Sequence, residues 1–184
     1  MLFEYETDRL VLQVLKPTYA PMVLDFFNRD KELFEKYEID RVPDFYTIKY
    51  QHKVLKYEYN MAIKKNLVRF YVFLKSDPSK IIGTVCLHNI SPMFYCSCEV
   101  GYKFSSEFHH QGFAQEAIKK CLEIAFFDLN LHRVTAIVNP GNQPSLQLLN
   151  RLNFKQEGLL RDYLLLHGVW TDHVLLALTK PEFT

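Results

Sequence analysis

The stretch Glu99-Val100-Gly101-Tyr102-Lys103-Phe104-Ser105-Ser106-Glu107-Phe108-His109-His110-Gln111-Gly112-Phe113-Ala114-Gln115-Glu116-Ala117 decides the fold of this chain. It closes a strand candidate running from Tyr95 to Phe104 and opens a helix near Gly112, with a polar turn between them. The period changes there, because Phe113, Ala117, Cys121 and Leu129, with Ile118, Leu122 and Ala125, mark one face of a helix. Glu116 and Lys120 lie four apart on its polar face, a spacing that supports a helix. At Gly112 the backbone can come close to a ligand. The first N–H groups of the helix lack internal partners, so they can converge on a pyrophosphate. The helix dipole favours such an anion by about 0.3–1 kcal/mol. An ordinary N-cap explains the same glycine, and the turn alone does not choose between the two.

Upstream, Arg9 to Leu15 is rich in strand formers, and Lys16-Pro17 opens a helix to about Asn28. A second helical region runs from about Tyr46 to Lys65. Its tyrosines, Tyr46, Tyr50, Tyr57 and Tyr59, read as core packing before they read as the wall of a substrate groove. Two further strands, Val68 to Lys75 and Ile81 to Ile90, precede the one ending at Phe104. Breaks at Ser76-Asp77-Pro78-Ser79 and Ser91-Pro92 make the three an antiparallel meander. Downstream come a strand from Arg133 to Val138 and a short helix from Pro144 to Leu152. Strands from Lys155 to Leu166 and Val169 to Leu178 follow, joined by a hairpin turn at His167-Gly168. A strand-helix-strand unit inside an otherwise antiparallel sheet makes the class α+β with a mixed sheet. Nothing in the chain reads as a repeat or a linker, so residues 1–184 are expected to form one domain.

Composition agrees. With 184 residues, 48% apolar and 23% charged, the chain can build one sizeable core. A net charge of +1 gives no global field for nucleic acid or an anionic membrane. The first residues are acidic where a secretory signal would be basic, and no apolar stretch reaches membrane-span length, so a cytoplasmic protein is expected. Cys96 and Cys98 alternate with polar residues on a strand, and Cys86 and Cys121 sit among apolar neighbours; all four read as reduced thiols. No cysteine pair has metal-site spacing. Consecutive His109 and His110 diverge on strand or helix alike, so no metal is expected.

The central stretch resembles motif A of the GNAT superfamily, [RQ]-x-x-G-x-[GA], with Gly112 and Ala114 at the small-residue positions and Gln115-Glu116-Ala117 resembling its T-E-A continuation. Glu99-Val100-Gly101-Tyr102 is similar to the E-[IV]-G-Y of the subgroup that acetylates the N-terminal amine of ribosomal proteins. Arg9-Leu10-Val11-Leu12 resembles that subgroup's first strand. Asn139 through Ser145, then Leu148 to Phe154, resembles N-x-x-S-x-x-[LV]-[LY]-x-x-x-G-F. Glu157-Gly158-Leu159-Leu160-Arg161-Asp162, then Gly168 to Asp172, resembles E-G-x-x-R-x and G-x-x-x-D. The likeness spans nearly the whole chain in order. Four residues depart from it: His109 stands at the Arg/Gln position, His110 and Asn153 at common glycines, and Leu149 where many relatives place a tyrosine general acid.

The resemblance implies the GNAT acyl-CoA N-acyltransferase fold, with helices on both faces of the sheet and a splayed central parallel pair between which acetyl-CoA inserts. It assigns cofactor contacts to Tyr102, Lys103, Phe104, His109, His110, Gln111, Gly112, Phe113, Ala114, Gln115, Asn139, Asn142 and Ser145. Gly101 suits a bulge that would open the strands. A backbone N–H near Tyr102 to Phe104 would steady the oxyanion. Glu99 is the candidate base, acting through a water, and a solvated strand carboxylate is its plain alternative. Ser145 would hydrogen-bond the departing thiolate, while Asn142 and Ser145 also suit local capping of the short helix.

The acceptor expected is a protein N-terminal amine, as in a ribosomal protein. An α-amine with pKa about 8 is far more often neutral at pH 7 than a lysine at about 10.4. A small amine such as a polyamine or aminoglycoside is the alternative, because Glu32, Glu35, Glu38, Asp40 and Asp44 form an acidic stretch that is either a cation site or a solvated face. A non-catalytic acyl-CoA sensor is a third reading. A monomer and a homodimer fit equally.

Overall fold

The computed structural model describes residues 1–183. Eight strands join one sheet in the order β1-β2-β3-β4-β5-β6-β8-β7. They are β1 (Glu4–Glu6), β2 (Leu10–Gln13), β3 (Val68–Leu74), β4 (Gly83–Ser91), β5 (Ser97–Phe104), β6 (Arg133–Val138), β7 (Lys155–Leu166) and β8 (Val169–Thr179). Every neighbouring pair is antiparallel except β5 and β6. The single parallel step follows from the crossover through α4 (Phe113–Glu123), since two strands pointing the same way need a long return connection.

Helices α1 (Ala20–Arg29), α2 (Lys31–Glu35) and α3 (Ile48–Ile63) precede the meander, and α5 (Gln143–Arg151) follows β6. Directly opposed residues share a face, so the register sorts the side chains. Val72, Val85, Val100, Val134 and Leu176 belong to a core with α4 and α5, whereas Tyr71 and Phe73 pack with Val23, Phe26 and Leu55 of α1 and α3. The mixed α+β sheet with helices on both faces is therefore as expected, and it places two differently lined surfaces on either side of β5.

Several boundaries differ from the sequence reading. The first helix opens with one 3₁₀ turn, Pro17–Tyr19, before α1. α3 starts at Ile48 because the Thr47 hydroxyl accepts from the Tyr50 amide at 3.2 Å and caps it. Of its tyrosines, Tyr46 and Tyr50 pack partly against the second core and Tyr59 meets Phe3 edge-on, while Tyr57 is exposed. β1 and α2 are elements that the reading did not include. Cys96 lies in the hairpin before β5, with a left-handed φ of 44°. Glu116 and Lys120 do not pair: Lys120 reaches Glu123, and Glu116 is taken by Arg9. His167 and Gly168 both have positive φ, 50° and 80°, the requirement of a two-residue type I′ hairpin. His110 and Asn153, at the two positions where the resemblance has glycine, also adopt left-handed backbone at 61° and 67°.

Candidate active site

β5 and β6 pair at only three positions, Ser97 with Arg133, Cys98 with Val134 and Glu99 with Thr135. Beyond them β5 stays bonded to β4 as far as Phe104, and β6 to β8 as far as Val138. The strands thus remain paired on their outer sides and part on their inner sides. The backbone of Val100 to Phe104 that faces the gap has no strand partner, which is costly inside a sheet unless another extended chain fills the place. A notch in mid-sheet results.

Gly101 does not open it. That residue pairs in ordinary register with Cys86. The irregularity falls on β4 instead, between His88 and Ser91, where three steps along β4 match two along β5 from Glu99 to Ser97. Asn89 takes the left-handed conformation, φ 51°, within this bulge.

At the far end of the notch stands α4. Its N-cap is Gly112, at φ 82° and without any side-chain cap. The first amide bonded within the helix is that of Glu116, to the Gly112 carbonyl at 3.0 Å, so the amides of Phe113, Ala114 and Gln115 are left to point outward. Arg9 borders this cradle. Its guanidinium bonds the Gln111 carbonyl at 3.0 Å and Glu116 at 2.6 Å, and lies 4.4 Å from the Phe113 ring centroid. Glu116 also accepts from the Arg9 amide at 2.9 Å, which anchors β2 to the helix start. A hydrogen bond from the Thr7 hydroxyl, with these Arg9 contacts, holds the carboxylate below its usual range despite its partial burial. Arg9 was expected only as a strand residue; its partner lies 107 positions away, and nothing local in the sequence announces it.

The other expected site residues divide. His109 is exposed and its ring meets the Phe104 carbonyl at 2.9 Å, fastening the end of β5, while His110 and Gln111 lie exposed on the rim. Asn139 and Asn142 spend their side chains on the turn after β6, on the amides of Gly141 at 2.9 Å and Ser145 at 3.3 Å. Asn142 therefore caps α5. Ser145 contributes only its amide to the cap, and its hydroxyl meets the Tyr102 phenol at 2.8 Å, bridging the two sides of the notch. Burial pushes the Tyr102 phenol up to about 12. Lys103 turns to the opposite face, where it lies half-buried against Glu38, and Glu38 also binds Arg41. Burial, with Arg69 and Arg41 nearby, pushes the Lys103 ammonium well below its ordinary value. Glu99, half-buried on that same face, accepts from the Asn89 amide at 2.8 Å.

The acidic stretch before α3 is largely consumed. Besides Glu38, Glu35 accepts from the Tyr46 phenol at 2.7 Å, and Asp40 pairs with His167 at 2.7 Å. Among the described residues no three His, Cys, Asp or Glu side chains are grouped to hold a metal ion. No helix there is long and apolar enough to cross a membrane.

Residues 9–155 match the Acetyltransferase (GNAT) domain family. A probable N-acetyltransferase, YjcK, of Bacillus subtilis (strain 168) is 31% identical over 174 residues, which cover 94% of this chain and 95% of that one. The [ribosomal protein uS5]-alanine N-acetyltransferase of Escherichia coli (strain K12) is 29% identical, across 97% of this chain and 91% of its own. Among solved structures, Mycobacterium smegmatis RimJ in complex with CoA-disulfide superposes with a TM-score of 0.88 at 26% identity, covering 94% of this chain and 83% of that one.

Proposed function

Because the chain belongs to the GNAT acetyltransferase family and is an N-acetyltransferase, we propose that it moves the acetyl group of acetyl-CoA to the N-terminal α-amine of a protein, a ribosomal protein foremost. The observation that carries the reading is the notch: a strand pair open from Val100 onward, ending at the uncapped start of α4. An extended pantetheine arm fits the unpaired strand edge. A diphosphate fits the amides of Phe113, Ala114 and Gln115. The co-substrate supplies an activated acyl group; the chain positions it and manages protons.

The two faces of the sheet divide that work. On the α5 face, the Ser145 hydroxyl is oriented by Tyr102, whose raised pKa keeps its proton on at any physiological pH. It is placed to stabilise a departing thiolate. On the face covered by α1 and α3, Glu99 supplies a negative charge beside the path of the incoming amine. The acceptor therefore approaches from the α1–α3 side, and the cytoplasm is where we place the enzyme.

The paired acidic stretch argues against a polycation acceptor. Glu35, Glu38 and Asp40 already have partners, so little unpaired negative charge awaits a polyamine. The uS5-alanine relative supports a peptide end instead. Transfer of label from acetyl-CoA to a panel of N-terminal peptides and polyamines tests this. Peptides beginning with a small residue should be labelled. Labelling of polyamines alone would reverse the assignment, and binding without any transfer would make the protein a sensor.

Ser145→Ala should slow turnover about tenfold, the worth of one hydrogen bond of about 1.4 kcal/mol, with acetyl-CoA affinity nearly unchanged. Steady-state kinetics beside a binding titration check this. Lost affinity with unchanged turnover would recast Ser145 as a binding residue.

A further inference from the structure

The bulge in β4 has a consequence for register. Counted back from the Ser91–Ser97 pair, a regular ladder would set Asn89 opposite Glu99 and turn His88 to the other face. The extra residue sets His88 opposite Glu99 instead, while Asn89 still reaches the carboxylate from the bulge itself at 2.8 Å. Two side chains, rather than one, are thereby brought to Glu99.

The His88 ring lies over Gly101. Its Nε2 is 3.6 Å from where a Cβ on that glycine would be, so the missing side chain leaves the imidazole open toward the first unpaired residues of the notch. Among the described residues neither ring nitrogen has a hydrogen-bond partner, and neither is sealed from solvent. An imidazole that is unpartnered, accessible and set beside a carboxylate at the mouth of an acyl-transfer cleft is equipped to accept a proton.

We propose that His88 is the catalytic base, its Nε2 taking the proton of the acceptor amine while Glu99, held by Asn89, stabilises the resulting imidazolium. This rests on the N-terminal acetyltransferase reading and refines it. The amine nitrogen bonds to the acetyl carbon, its proton passes to Nε2, and the C–S bond breaks with its electron pair leaving on sulfur. The thiolate, stabilised by the Ser145 hydroxyl, takes a proton from water, and His88 returns its own proton to water, so that no net proton is gained or lost. The charged groups that act on the imidazole are Glu99 on β5 and Arg69 on β3; behind them, Glu58 from α3 binds Arg69, Cys86 on β4 pairs with Arg69 across the sheet, and Tyr163 from β7 lies within the field of Glu99. Burial lowers the His88 pKa, Glu99 opposes that, and Arg69 adds to it. The ring is thus neutral, and ready to accept, at physiological pH.

The test is the pH dependence of kcat/KM for an N-terminal peptide, with the His88 ring followed by NMR titration in parallel. On the acid side, below the midpoint that NMR gives for His88, the wild type should fall with a slope of two, one proton for the amine and one for the imidazole. His88→Gln should lose about 100-fold in kcat/KM, fall with a slope of one, and bind acetyl-CoA as before. Glu99→Gln should keep the slope of two with its lower break moved to lower pH, and the NMR midpoint of His88 should move down with it. A slope of two that survives in His88→Gln, or vanishes in Glu99→Gln, would make the carboxylate the base and overturn the proposal; so would a slope of one in the wild type. If His88→Gln does not fold, the Glu99→Gln profile and the NMR midpoint decide. Absence of any transfer by the wild type would instead remove the function on which the proposal rests.

Discussion

Gly112→Val is expected to weaken acetyl-CoA binding by at least 100-fold while leaving the fold intact. A β-branched residue at φ 82° is a genuine outlier, and its Cβ would lie 3.3 Å from an Arg9 guanidinium nitrogen that is itself fixed by Glu116. The helix start must rotate to relieve both. Two hydrogen bonds to an anion, at about 1.5–3 kcal/mol each, are then misdirected, which corresponds to roughly 10²–10⁴ in affinity. The conformational cost of the substitution, about 1–2 kcal/mol, lies within the stability of an ordinary domain. Titration calorimetry beside a melting curve separates the two effects. Unchanged affinity would mean that the diphosphate is not held at this helix.

The second large effect concerns stability. Glu58→Ala should cost about 3 kcal/mol, because it removes the partner of both Arg69, at 2.6 Å, and the buried Tyr71 phenol, at 3.0 Å. Breaking a fully buried pair costs more, but a quarter of the Arg69 side chain remains exposed and recovers some hydration. Both groups arise from β3 where α3 packs on the sheet. The loss therefore loosens the face from which we propose that the acceptor approaches. Chemical denaturation should show a lower midpoint with an unchanged slope, and Glu58→Gln, which can still accept from Tyr71, should fall between. A midpoint equal to the wild type would show that the pair adds nothing.

How much of this was legible beforehand depends on whether the signal was local. The turn from Glu99 to Ala117 could be read because strand period, glycine and helix period follow one another within nineteen residues. The His167-Gly168 hairpin and the proline-led start of α5 are local too. β1, by contrast, is three residues long and exists by pairing with β2, so its own sequence carries no alternation to detect. The Arg9–Glu116 anchor joins residues far apart in the chain.

The bulge was the instructive failure. Gly101 is the natural candidate, yet the extra residue sits around Asn89, and from Thr84 to Ser91 that strand has no Gly or Pro to mark it. A one-residue slip inverts which side chains face the site. For that reason the sequence points to Glu99 as a candidate and not to His88, its register partner, or to Asn89, which bonds it.

Calorimetric titration of acetyl-CoA into the wild-type protein addresses the central claim most directly: that an open strand pair and an uncapped helix start form a coenzyme A cleft. Saturable heat is predicted, and at a hundredfold excess over the dissociation constant about 2.7 kcal/mol of added stability, seen as a raised Tm. No heat and no Tm change at millimolar acetyl-CoA would contradict it.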